Sequence, residues 1–252
     1  MALVVYGVMR AADCPGGFSV DWRKQTVDVC AVEHEGVCAL TGEAPDGAVR
    51  LRRDALLAHS EVLNAAMEHG PVLPLRFGVA MPDENAVRDE LLAPNAGSLA
   101  GRLDALAGTA EFQLKVTFVT DRVLPSIVAA DSQLADIAAR LRSLPGAAGH
   151  FDRIRLGELI GQHVDGRAAA IEAEVVDALA PLAMAVAHGE RQHEWMALNI
   201  AFLVADAQRN GFDAAIDRLN EGYGGDLQFK LIGPLPPHSF AEHAWEAGAA
   251  WV

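Results

Sequence analysis

Between Phe151 and Leu182 apolar side chains return at steps of three and four: Leu156, Ile160, Val164, Ala168, Ile171, Val175, Leu179 and Leu182. That is the period of a helix with one buried stripe. About 30 residues at about 1.5 Å each make a rod of roughly 45 Å. A stripe of that length must be covered by something else. The shorter helical pattern Asp131–Leu144, closed by Pro145 and Gly146, is the nearest cover, so a helical hairpin is expected. Gly157, Gly161 and Gly166 each weaken the long helix by up to about 1 kcal/mol relative to alanine, which predicts a late start or a bend. His163 falls beside the stripe and reads as a core or edge residue rather than a ligand.

Strand patterns flank this hairpin. Phe112, Leu114, Val116 and Phe118 alternate with Gln113, Lys115 and Thr117 in a half-buried strand over Glu111–Val119. Met196–Val204 is apolar except for Asn199, and Leu227–Ile232 is the last strand, after a helix over Asp206–Asn220. The N-terminal half carries its own strands, Leu3–Met9, Thr26–Glu33 and Val37–Leu40. Its helices are Arg53–His69, a stretch from Asp83 to about Leu92, and Ser98–Leu106. The class is α+β. Breakers near Gly108 divide it into domains at 1–107 and 108–252, the second carrying the helical hairpin and a proline-rich C-terminal segment.

Val72–Phe77 has a period of two, with Leu73, Leu75 and Phe77 alternating with Val72, Pro74 and Arg76. Pro74 cannot donate a backbone hydrogen bond, which places this strand at a sheet edge or turns its proline outward. Arg76, between two large apolar residues, calls for a carboxylate partner if it is buried.

The charge balance, 20 basic against 34 acidic residues for a net −14, argues against nucleic acid or an anionic membrane as a partner. The longest apolar runs, Ala178–Ala187 and Trp195–Ala205, are too short to span a bilayer, and the N-terminus lacks the pattern of a signal peptide. A cytoplasmic protein is expected. Cys14, Cys30 and Cys38 form no C-x-x-C pair and read as reduced, buried small side chains rather than a redox or metal site. His59 and His69 read as solvated or capping residues. His188 and His193 lie in a polar loop at the wrong spacing for H-E-x-x-H. No catalytic, metal or cofactor motif is found, so no catalytic residue is named and no cofactor is expected. This does not exclude an enzyme, since triads are assembled in space rather than in sequence.

Three stretches carry a family resemblance. They are Val72-Leu-Pro-Leu-Arg-Phe-Gly78, Asn199-Ile-Ala-Phe-Leu-Val204 and Phe229-Lys-Leu-Ile-Gly-Pro-Leu-Pro-Pro-His-Ser-Phe240. Together with Val4-Val-Tyr-Gly7 and Leu114-Lys-Val-Thr117, and in this order, they resemble the gas vesicle protein L/F family. His238 stands where that family more often has tyrosine.

The resemblance implies two α+β domains, the first ferredoxin-like and the second a related sheet with the hairpin. It implies an accessory protein that acts in gas vesicle nucleation or assembly. The partners would be the small hydrophobic shell protein and other gas vesicle accessory proteins. An exposed strand edge can accept another strand. The candidate contacts are therefore Leu73, Leu75, Arg76 and Phe77 in the first motif, and Pro234, Leu235, Pro236, Pro237 and Phe240 in the last. Two other readings stay open: a small-molecule enzyme or sensor on the same scaffold, and a minor structural component of the shell.

Overall fold

A computed structural model describes residues 2–23, 25–44, 53–143 and 149–241. The turn at Pro45–Gly47, the helix stop at Pro145–Gly146 and the tail Ala244–Val252 lie outside the described residues. The chain is α+β, with two sheets and one long helix. It forms two compact units. Among the described residues, one holds the chain up to Glu111 together with residues 233–241, and the other holds Phe112–Ile232. The proline-rich segment thus groups with the first unit, although in sequence it follows the second. Glu111 and Ser239, joined by hydrogen bonds described below, are the physical reason.

The first unit opens with four strands before any helix: β1 (Leu3–Arg10), β2 (Gly17–Trp22), β3 (Gln25–His34) and β4 (Val37–Glu43). The helix α1 (Arg53–Met67) follows, then β5 (Val72–Pro74) and β6 (Ala80–Met81). The helical stretch α2 (Glu84–Ala86) widens into a π turn over Val87–Leu92, and α3 (Ala96–Leu106) completes the helices before β7. The strands are ordered β2-β3-β4-β1-β5, with β6 also paired to β1. Both sheet faces are covered. Val5, Val8, Leu73 and Leu75 pack against Val87, Leu91, Leu99 and Leu103, while Val4, Tyr6, Met9 and Val72 pack against Val62, Leu63 and Ala66 of α1. A strand buried on both sides has no polar face to show, and β1 is apolar accordingly.

The second unit is built from β7 (Thr109–Phe118) after its first residues, which belong to the first unit, then α4 (Thr120–Ala130), α5 (Ser132–Ser143), α6 (His150–Leu179), β8 (Ala185–His188), β9 (Met196–Ala205), α7 (Arg209–Gly222) and β10 (Leu227–Leu235) as far as Ile232. Its sheet runs β10-β7-β9-β8. This β-α-β-β-α-β succession is the split βαβ arrangement. It occurs in the second unit, the one the resemblance makes a related sheet with the hairpin, while the sheet of the first unit opens with four strands joined without a helix. The buried stripe of α6 begins at Val164 and runs through Ala168, Ile171, Val175 and Leu179. Its first turns are solvated, which suits the glycines there.

Candidate partner-binding site

The site grows out of an irregularity in β1. Val5 pairs with Thr41 and Gly7 with Leu40, so Tyr6 is an extra residue, a β-bulge. A bulge puts two successive residues on one side of the strand, and Tyr6 and Gly7 both face α1. Only glycine fits at position 7. A Cβ there would lie 2.8 Å from the Leu63 Cδ2 and 2.8 Å from the Leu73 carbonyl oxygen.

Opposite this bulge the signature leaves the sheet. β5 pairs with Gly7–Met9 and β6 with Leu3–Val4, both along the same flank of β1. Between them Leu75–Val79 swings outward. Its two ends are tied to the bulge, with the Leu75 N–H donating to the Tyr6 carbonyl at 2.9 Å and the Val5 N–H to the Val79 carbonyl at 3.0 Å. Gly78 takes φ +94°, a left-handed conformation that releases the chain back toward β6.

His59 of α1 props the excursion from beneath. Its Nε2–H donates to the Leu75 carbonyl at 3.2 Å. Its ring is flanked by Tyr6 at 5.3 Å and edge-on by Phe77 at 5.6 Å. Only 3% of it is exposed, which corrects the expectation of a solvated residue. Burial pushes its pKa down to about 4, so it is neutral at physiological pH and keeps the proton that the Leu75 carbonyl requires.

The candidate residues separate into two kinds. Leu73 and Leu75 are core residues and Pro74 is buried, so the expected alternation across Val72–Phe77 holds only in the departure after Leu75. Arg76 and Gly78 are exposed and Phe77 is half-buried. β5 closes that flank of the sheet, and the short helix α8 (His238–Ala241) packs against it. In the last motif Pro236 and Pro237 are buried, Leu235 and Phe240 half-buried, and Pro234, joined to Gly233 by a cis peptide bond, is exposed.

One anchor was not legible as a motif. Glu111, 3% exposed, accepts the Ser239 N–H at 2.7 Å and the Ser239 hydroxyl at 2.8 Å. Burial raises its pKa, and these two hydrogen bonds oppose the rise by favouring the ionised form. Ser239 thus fixes the last motif beside His238. A buried carboxylate on an alternating strand was the one available signal.

Beside the excursion lies a cleft of about 740 Å³, lined by Tyr6, Phe77 and His59 among others, with Asp28, Glu43, Asp83 and Glu84 also on its wall. Among the described residues no cluster of His, Cys, Asp or Glu is arranged to hold a metal ion. His188 instead meets Glu172 at 2.7 Å, and His163 meets Asp131 at 2.9 Å, an edge histidine with a carboxylate partner. No helix of the described residues is long and apolar enough to cross a membrane.

Comparison with known proteins gives this geometry its context. The family model described as gas vesicle synthesis protein GvpL/GvpF matches residues 2–242. The chain belongs to the GvpL/GvpF family. It is 34% identical over 206 residues to gas vesicle protein F of Streptomyces sp. (strain CB03234), covering 82% of this chain and 84% of that one. It is 27% identical over 211 residues to gas vesicle protein F of Nostoc sp. (strain PCC 7120 / SAG 25.82 / UTEX 2576), covering 82% and 85%. The crystal structure of the gas vesicle protein GvpF from Anabaena sp. PCC7120 superposes with a TM-score of 0.76 at 24% identity, over 95% of this chain and 98% of that one. That likeness establishes the fold. Family membership makes this a gas vesicle protein.

Proposed function

We propose that the chain is an assembly factor that binds the hydrophobic shell protein of the gas vesicle in the cytoplasm, at the growing vesicle. The observation that carries this reading is the excursion Arg76–Gly78, held out from the sheet beside an open cleft with Phe77 on its wall. A buried prop beneath an exposed loop is the arrangement expected where a fixed surface must meet a partner. In this reading Leu73, Leu75, Pro236 and Pro237 hold the site, and Arg76, Phe77, Pro234, Leu235 and Phe240 offer the contact. The acidic surface keeps the factor soluble while it handles an apolar client.

One observation supports an alternative place for the contact. Phe151 is 85% exposed and Ile154, one turn on, is 47% exposed at the solvated start of α6. Large apolar side chains at i and i+3 share one helical face.

Co-purification of the tagged full-length chain with the shell protein separates the two. Phe77→Ala, with its fold verified by circular dichroism, is expected to cut capture by roughly tenfold, about 1.4 kcal/mol, while Phe151→Asp leaves it unchanged. The opposite pattern would move the contact to α6. Failure of the unmodified chain to capture shell protein would overturn the assignment of that partner and turn the search to other gas vesicle accessory proteins.

A further inference from the structure

Two of the three cysteines come together. Cys14 lies in the turn that ends β1, where its N–H donates to the Ala11 carbonyl at 3.3 Å. Cys38 lies on β4 opposite Met9 and is fully buried. Their Sγ atoms are 2.7 Å apart. Non-bonded heavy atoms ordinarily rest at roughly 3.5–4.0 Å and a disulfide bond is about 2.05 Å long, so the pair already stands within the reach of bond formation. Both belong to the apolar cluster between the sheet and α1, which fixes their approach. Cys30 is exposed on β3 and stands apart from this pair. The expectation of three buried thiols thus holds for Cys38 alone.

We propose that Cys14 and Cys38 form a redox-modification site at which a peroxide converts the two thiols into an intramolecular disulfide. The partial exposure of Cys14 makes it the first to react. Its sulfur attacks one peroxide oxygen, the O–O bond breaks, and one water leaves with a sulfenic acid formed on Cys14. The Cys38 sulfur then attacks the Cys14 sulfur, and the displaced hydroxyl departs with the Cys38 proton as a second water. Two thiols lose two electrons and one peroxide becomes two waters. Burial raises the Cys38 thiol, so it keeps its proton while Cys14 reacts, and its sulfur, already beside that of Cys14, is placed to resolve the sulfenic acid. A small-molecule dithiol reverses the bond by exchange. The bond would close a loop containing the whole β2–β3 hairpin and fasten the end of β1 to β4.

The test treats the native full-length protein with hydrogen peroxide, quenches it, unfolds it and counts thiols by maleimide mass-tagging. The reduced protein is expected to take three tags and the oxidised protein one, with three restored by dithiothreitol. Peptide mapping should join Cys14 to Cys38. In Cys30→Ser the count should fall from two to none, and the rate of closure should match that of the unmodified chain. Retention of all thiols after peroxide, a link through Cys30, or equally fast closure in urea-unfolded protein would overturn the proposal. Mapping in the unmodified chain needs no substitution at Cys38, so a folding defect there cannot obscure the answer.

Discussion

Val72–Gly78 and Asn199–Val204 are both short apolar runs with a polar residue among them, and their surroundings are opposite. The second lies inside β9, whose residues are buried from Met196 to Val204. Phe202 meets Phe212 edge-on at 5.3 Å with the ring planes 62° apart, and the Asn199 side-chain amide donates to the Glu190 carbonyl at 3.1 Å. Packing on both faces holds that strand. The first run is core only as far as Leu75, and after it the chain leaves the sheet, with the His59 imidazole bonded to Leu75 and backbone ties to β1 at both ends among its supports. One motif records the demands of volume, and the other records the demands of a supported protrusion.

Volume loss should therefore weigh most in β9. Phe202→Ala removes a fully buried ring and is expected to cost about 4 kcal/mol, read as a shift in the urea midpoint. A cost below about 1 kcal/mol would mean that β9 is not the packed element described here.

Acid should instead strike the excursion. The folded pKa of His59, about 4, lies below its ordinary value of 6.5. Its contribution to stability is complete above that ordinary value and is lost as pH falls through the window between the two. The loss should reach about 3 kcal/mol near pH 4. His59→Phe keeps the ring packing without the titration, so the difference between the two proteins in urea unfolding at pH 7 and pH 4 isolates the effect. Parallel curves would sink it.

The smallest effect concerns the last motif. Ser239→Ala removes one of the two donors to Glu111, at a position otherwise exposed, and should cost about 1 kcal/mol. Faster amide exchange over His238–Ala241, relative to β9, would show the loss to be local.

These contrasts also explain what could be read in advance. Helices and strands with a strong period were legible, because α6, β7 and β9 repeat their apolar positions over many residues. The hairpin partner of β3 was not, since Gly17–Trp22 alternates only half-buried with exposed residues. α4 was missed as well, with Pro125 inside it acting as a breaker in the sequence. Within the signature, Pro74 marked an edge strand, and β5 does lie at the flank of the sheet. The outward turn after Leu75 was not legible, because the apolar alternation ran on through Phe77. His59 was not legible, because a lone histidine on an amphipathic helix carries no sign of the carbonyl it will meet. Glu111 met the same obstacle, since its partner lies 128 residues away in sequence.

The return of the chain to the first unit bears on the order of events during synthesis. Residues Phe112–Ile232 form a continuous unit that is complete once its own last strand has left the ribosome. The unit that begins the sequence still lacks Ser239 and α8 at that moment, so the flank of β5 and the Glu111 carboxylate wait uncovered. Domains commonly mature from the N-terminus onward. Here the unit that comes first in the chain is finished after the one that follows it, and the flank of β5 gains its cover only once the second unit has been made.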